Sequence, residues 1–262
     1  DSVYLADALI VERGKILNES NGSSGDLVIG QIDLQVLVHQ RRLEKTFPLY
    51  EEGHLEIPCD LTHAPSSLIR DIDPSPFVPH DPARLEERCE EVLTLQTLGL
   101  KKRLEHVGLK HVVLGLSGGL DSTVALLAIV RTFDVMSLDR GGIIAVSMPG
   151  FGTTNRTKTN AQALAEALGV TFFTVPIGKA VTQHFKDIDH DPKVLDITYE
   201  NAQARERTQV LMDLANKHGA LVIGTGDLSE LALGWTTYNG DHMSMYAINS
   251  SVPKTLLRPI LA

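Results

Sequence analysis

Cysteine is scarce in this chain. Cys59 and Cys89 are the only two in 262 residues, too few and too far apart for a disulfide framework or a zinc cluster. A reducing compartment is the simplest inference. Aromatic residues make up 5% of the chain, with a single tryptophan. No apolar run approaches the ~18 residues of a membrane span, and no secretory signal opens the sequence. Positive charge is outweighed, giving a net charge of −9, which argues against a nucleic-acid surface as the main business. No internal repeat or low-complexity tract occurs. The Gly-Lys-Ser/Thr ending of a Walker loop is also missing. What remains is the composition of an ordinary globular protein, long enough for one large domain or one domain plus a piece of another. The chain opens on Asp1 in mid-pattern rather than on methionine, which reads as a fragment.

The most informative stretch is Gly115-Leu116-Ser117-Gly118-Gly119-Leu120-Asp121-Ser122. An apolar run, His111–Leu116, feeds into it and reads as a buried strand; a helical pattern, Thr123–Phe133, leaves it. Adjacent glycines allow a tight turn with the backbone close to a ligand. Successive N–H groups ending at a helix N-terminus cradle an anion. Ser117 and Ser122 add hydroxyl donors. Asp121 is odd in a site for an anion alone, but fits a polyphosphate that arrives with Mg²⁺. Gly115–Gly119 also matches G-x-S-x-G, the nucleophile elbow of serine hydrolases, and His184, His190, His218 and His242 are available as partners. The elbow, however, gives no role to Asp121 or Ser122 and calls for an HGGG-type loop that is not found. The nucleotide reading is preferred.

The first 45 residues read as β structure. Leu9–Val11 and Lys15–Leu17 flank a hairpin turn at Glu12-Arg13-Gly14. Asn21–Gly25 is a loop, Leu27–Ile32 a further strand, and Leu34–Leu43 a short helix. Seven prolines (Pro48, Pro58, Pro65, Pro74, Pro76, Pro79 and Pro82) give the next stretch linker composition. Cys59 within it reads as an incidental or structural thiol. A long helix then starts at Asp81, a good N-cap, with Pro82 at its first position and Gly108 as its stop. Leu85, Cys89, Val92, Leu93, Leu100, Leu104 and Val107 keep to one face. Strands Ile143–Met148, Val170–Val175 and Leu221–Gly224 then alternate with helices at about Asn155–Leu168, Lys179–Asp187 and Tyr199–His218. This predicts an α/β fold, a doubly wound parallel sheet with helices on both faces and a small β-rich N-terminal piece. Domain limits of 1–57, a linker over 58–80 and a main domain over 81–262 follow.

Ligands of such sheets sit at the carboxyl ends of the strands. The Gly115–Ser122 turn, the loop Pro149–Thr154 and Gly224-Thr225-Gly226-Asp227 all fall there. On the helix Tyr199–His218, Asn201 and Arg205 point the same way with Thr208 next along, while Ala204, Leu211, Leu214 and Ala215 form its buried side. Arg205 reads equally as half of a surface ion pair. Asp227 and Glu230 have capping-box spacing. Capping is preferred for Asp227, and a metal or ribose contact for Glu230. Trp235, followed by Thr236, Thr237 and Tyr238, is equally suited to packing and to stacking on a flat ring.

Ser117–Ser122 resembles the SGGxDS signature of the ATP pyrophosphatases. Met148–Thr154, Tyr199–Arg207 and Gly224–Asp241 are similar to the corresponding segments of the glutamine-dependent NAD synthetases. The resemblance runs from about Phe77 to Leu257. The first 45 residues are similar to the end of the nitrilase-like glutaminase domain that precedes the synthetase in that family. The resemblance implies a Rossmann-like fold of the adenine-nucleotide α-hydrolase type and the amidation of deamido-NAD to NAD, with ATP and Mg²⁺ and with ammonia drawn from glutamine. ATP would contact Gly115, Leu116, Ser117, Gly118, Gly119, Leu120, Asp121, Ser122, Thr225 and Lys254. Asp121 and Lys254 would act in catalysis, and Asp121 and Glu230 would hold the metal. Asn201, Arg205, Glu230, Trp235, Thr236, Thr237 and Tyr238 would bind deamido-NAD. The glutaminase triad of that family has no counterpart here, and the family's chain continues past Ala262, so truncation at both ends is expected. A cytoplasmic homo-oligomer with no nucleic-acid or membrane partner completes the reading.

Overall fold

The computed structural model describes residues 7–20, 27–46, 55, 57, 58, 67–152 and 155–262. The loop read at Asn21–Gly25 lies outside them, apart from what surrounds it, as do Cys59, Thr153 and Thr154. The chain divides into two compact units, Asp1–Pro74 and Ser75–Ala262, and the division falls inside the proline-rich stretch read as a linker.

In the first unit, β1 (Leu9–Glu12) and β2 (Lys15–Glu19) form an antiparallel hairpin. Its turn places Arg13 and Gly14 at positive φ, the conformation that two-residue hairpin loops favour. Glu12 is buried and accepts from Asp33 N at 2.7 Å and from Arg70 at 2.5 and 3.1 Å. Helix α1 (Leu34–Leu43) begins at the Asp33 cap. The strand expected at Leu27–Ile32 is not formed. That run has no ladder partner among the described residues, and a side chain serves its backbone at one point: Asn18 Nδ2 donates to Ile29 O at 2.8 Å.

The second unit opens with α2 (Pro82–Val107), capped by Asp81 and ended by Gly108 in the left-handed region. There follow β3 (Val112–Gly115), α3 (Leu120–Val135), β4 (Ile143–Ser147), α4 (Asn155–Leu168), β5 (Thr171–Thr174), α5 (Gly178–Asp187), α6 (Ile197–His218), β6 (Leu221–Gly224), α7 (Leu228–Leu233), β7 (Tyr246–Ala247) and α8 (Lys254–Leu261). The five strands are all parallel in the order β5-β4-β3-β6-β7. Alternate residues of the central strand explain the layers. Val112 and Leu114 pack with Leu100, Leu104, Leu126 and Ile129 of α2 and α3 on one face, while Val113 packs with Ala215 and Leu211 of α6 on the other. The doubly wound sheet is thus realised. The apolar stripe of α2 is buried at Leu100 and Leu104, but Val107 is exposed in the last turn. Among the described residues no helix is long and apolar enough to cross a membrane.

Chain direction decides where a ligand goes. From β3 the chain winds outward through β4 to β5, then returns to lay β6 on the other side of β3. The carboxyl ends of β3 and β6 therefore flank the point where the winding reverses, which is where open α/β sheets form their crevice.

Candidate active site

The turn after β3 is built by its own small residues. Gly118 lies at φ 77°, which a side chain would make costly. Gly119 N donates to Ser117 Oγ at 3.2 Å, Ser122 Oγ donates to Gly119 O at 3.1 Å, and the two serine hydroxyls lie 3.1 Å apart. Helix α3 begins at Leu120, earlier than periodicity predicts, because Gly119 serves as its N-cap with no side chain over the helix end. The first-turn N–H groups are thereby left for an anion.

Asp121, in that first turn, meets a lysine from the end of the chain. Lys254, first residue of α8, places Nζ 2.8 Å from Asp121 Oδ1, 2.8 Å from Asp227 Oδ2 and 2.9 Å from Glu230 Oε1. Asp227 and Glu230 do form the capping box of α7, yet each spends only one oxygen on it. Asp227 Oδ1 accepts from Glu230 N at 2.9 Å, and Glu230 Oε2 from Asp227 N at 3.2 Å. Their second oxygens are the ones that face Lys254. Asp227 is 0% exposed, and its Oδ2 accepts no well-directed hydrogen bond among the described residues. Burial favours the neutral acid there, but the ammonium of Lys254 and the N–H of Glu230 outweigh it and hold the carboxyl below the usual range. Burial likewise works against the charged Lys254, but the carboxylates outweigh it and raise its pKa well above the ordinary lysine value. Asp227, read from the sequence as a cap alone, therefore has a second role open to it.

Buried amides hold these pieces in register. Asn249 is fully buried. Its Nδ2 donates to Asp121 O at 2.9 Å and to Thr225 O at 3.1 Å, bridging the start of α3 and the end of β6. Its Oδ1 accepts from Gln96 Nε2 of α2 at 2.9 Å. Neither amide was singled out from the sequence, because no local pattern marks a polar residue as buried.

A cavity of about 630 Å³ opens beside the turn, within the range of nucleotide and cofactor pockets. It is lined by Gly115–Ser117, Ser147–Pro149, Gly152, Ala204, Arg207, Thr208, Leu211, Val222–Thr225, Asp241 and Met243. Gly115, Leu116, Ser117 and Thr225 among the predicted residues reach it. None of the predicted substrate residues lines the cavity, but four of them meet in pairs. Thr237 Oγ1 donates to Asn201 Oδ1 at 2.8 Å, and Arg205 Nε donates to Tyr238 O at 3.1 Å in place of any carboxylate pairing among the described residues. Trp235 and Tyr238 are 80% and 75% exposed, and Tyr238 stacks on His242 with centroids 5.8 Å apart. Trp235 is thus not a core residue; Thr236 is half-buried beside it. The helix-facing signal for the cavity was present in the sequence: Ala204, Arg207, Thr208 and Leu211 have the spacing of one helical face. Burial depresses the Arg207 pKa, with Glu200 and Asp241 opposing the shift.

The winding order, the glycine–serine turn at a bare helix end and the carboxylate–lysine cluster together define a nucleotide-binding α/β protein of the ATP-pyrophosphatase kind. Comparison with known proteins narrows this. The family model for NAD synthase matches residues 92–260, and the chain belongs to that family. It is 39% identical over a 277-residue alignment to a glutamine-dependent NAD(+) synthetase of Mycobacterium tuberculosis, covering all of this chain and 41% of that protein. A glutamine-dependent NAD(+) synthetase of Thermotoga maritima is 36% identical over 185 residues, covering 69% of this chain and 30% of that one. The chain thus spans about two-fifths or less of the length of these relatives. Among solved structures, a glutamine-dependent NAD+ synthetase from Acinetobacter baumannii in complex with ADP matches with a TM-score of 0.61 and 32% identity, over 66% of this chain and 32% of that one.

Proposed function

We propose that the second unit carries the synthetase step of NAD formation, the ATP-dependent amidation of deamido-NAD. The observation that carries this reading is the meeting of the Gly115–Ser122 turn with Asp121, Asp227, Glu230 and Lys254 at the reversal of the sheet. A carboxylate repels nucleophiles and lacks a leaving group. Its attack on the α-phosphate of ATP yields an acyl adenylate and pyrophosphate, and ammonia then displaces AMP to leave the amide. The protein has mainly to align two anions and offset the charge that develops.

The turn and the head of α3 would hold the departing pyrophosphate, with Lys254 and Thr225 beside it. Asn201, Arg205 and Trp235–Tyr238 would hold deamido-NAD. The cluster suits Mg²⁺: carboxylate oxygens of Asp121, Asp227 and Glu230 lie within 4.8 Å of one another, and Asp227 Oδ2, which faces the Lys254 ammonium at 2.8 Å, is a hard, anionic donor. When bound, the ion would neutralise phosphate charge. Asp227 joins the two ligands expected from the sequence. The first unit is read as the end of a glutaminase domain that supplies ammonia, and the protein as a cytoplasmic homo-oligomer.

The test is pyrophosphate release from ATP, Mg²⁺ and ammonium with and without deamido-NAD. Release that requires deamido-NAD and is lost in Asp121→Ala is the expected outcome. Release that requires a different acceptor would overturn the substrate assignment.

A further inference from the structure

Arg205 and Arg207 stand two residues apart on α6, so they project to different sides. The sequence favours Arg205 as the ligand residue, but it is Arg207 that lines the cavity. Gln203 and Arg207, one turn apart, fasten the chain leaving β4. Gln203 Oε1 accepts from Phe151 N at 3.0 Å, and Arg207 Nε donates to Met148 O at 3.3 Å. This uses one of the five N–H donors of the guanidinium. Its two terminal nitrogens have no hydrogen-bond partner among the described residues, and no described carboxylate lies within the 4 Å of an ion pair.

A guanidinium stays charged at any physiological pH, and a half-buried cation whose nearest opposing charges, Glu200 and Asp241, stand beyond ion-pair distance keeps much of its desolvation cost. Elsewhere the cavity wall is largely apolar, with Met148, Leu211, Val222 and Met243 offering surface for a nucleoside, and Gly115–Ser117 of the glycine–serine turn also line it. We propose that Arg207 is a nucleotide-binding residue whose terminal nitrogens take a phosphate oxygen of the nucleotide seated in this cavity. The forked donors match such an oxygen pair, while the bond from Nε fixes the fork in place. The inference deepens the reading of the crevice as a site for ATP and deamido-NAD, and both nucleotides carry the required phosphates.

The test is equilibrium binding of ATP, deamido-NAD and adenosine by calorimetry to the wild-type protein and to Arg207→Met and Arg207→Lys. In Arg207→Met, affinity for one of the phosphorylated ligands is expected to fall about tenfold to a hundredfold, the size of a charged hydrogen bond. Adenosine should bind as before, and Arg207→Lys should recover part of the loss. A fall for ATP identifies its phosphates as the partner; a fall for deamido-NAD identifies those of the dinucleotide. Unchanged affinity for both would overturn the proposal, as would an equal loss for adenosine, which would mark Arg207 as packing only. If Arg207→Met does not fold, Arg207→Lys decides alone: it should weaken a phosphorylated ligand relative to adenosine, and no such change would overturn the proposal. Failure to bind deamido-NAD in the wild-type protein would sink the substrate reading while the ATP arm still tests Arg207.

Discussion

Asn249→Ala is the change whose cost the structure defines most directly. The amide makes two bonds through Nδ2, to Asp121 O and Thr225 O, and one through Oδ1, from Gln96. Asn249 itself is 0% exposed and its bond from Gln96 is buried, while the bonds to Asp121 O and Thr225 O are partly buried. Each such bond contributes about 1 kcal/mol net, and each buried group left unpaired costs about 1–3 kcal/mol. Gln96 Nε2 keeps its second acceptor, Ile248 O at 3.0 Å, so the two carbonyls carry most of the penalty. A loss of about 3–5 kcal/mol follows. At about 2–4 °C per kcal/mol for a unit of this size, the midpoint should drop by about 6–20 °C. The assay is paired urea and thermal unfolding followed by circular dichroism, with ATP affinity measured on the folded variant. The isosteric Asn249→Asp keeps an acceptor for Gln96 but turns an oxygen toward two carbonyls, and should cost at least as much. Because the lost bonds tie the head of α3 to the end of β6, weaker ATP binding should accompany the lower stability. A loss under about 1 kcal/mol would refute the reasoning, as would a folded Asn249→Asp with wild-type affinity for ATP.

Asp227→Asn keeps an oxygen for the cap of α7 but removes the charge facing Lys254. Mn²⁺ affinity by electron paramagnetic resonance should fall about tenfold or more, while the helix content stays unchanged; unchanged affinity would exclude Asp227 from the metal set. Gly224→Ala would place a methyl 2.5 Å from Ser244 Oγ and 2.8 Å from its Cβ, so a destabilisation of about 1–3 kcal/mol is expected in chemical unfolding, relieved by Ser244→Gly. Hydrogen bonds from Arg70, with support from Asp33 N, hold the Glu12 carboxyl below its usual range. A depressed carboxyl contributes stability above its unfolded value, near 4.3, and loses it as pH falls through the folded value. Protection factors of the hairpin amides, corrected for intrinsic exchange, should therefore fall on acidification below about pH 4, and Glu12→Gln should flatten that dependence.

Elements whose information is local were legible in the sequence. Asp81, Pro82 and Gly108 mark the ends of α2 by cap chemistry alone, and the short apolar runs of β3, β4 and β6 mark a sheet covered on both faces. The run Leu27–Ile32 had the same local look, but a strand exists only where a second strand meets its edge, and none does among the described residues. β7 is two residues long and is defined wholly by its pairing to β6. The glycine–serine turn was legible because its function and its conformation need the same residues. Asn249, Gln96 and Gln203 were not, since a polar residue is counted as surface until its partners, up to 153 positions away, are known.

Asp227 shows why the candidate site was harder to read than the fold. Capping and ligand contact are alternatives only on the premise that one side chain has one role. A carboxylate has two oxygens, and the capping box constrains only one of them at each of its two ends. Once Asp227 Oδ1 and Glu230 Oε2 are committed to backbone N–H groups, both side chains lose their rotational freedom. Their remaining oxygens are then aimed by the cap itself, at Lys254 and toward Asp121. The cap is therefore the device that orients the cluster. The entropy of fixing two acidic side chains is met by the bonds that start α7, and a cation or phosphate arriving at the crevice meets groups already in place.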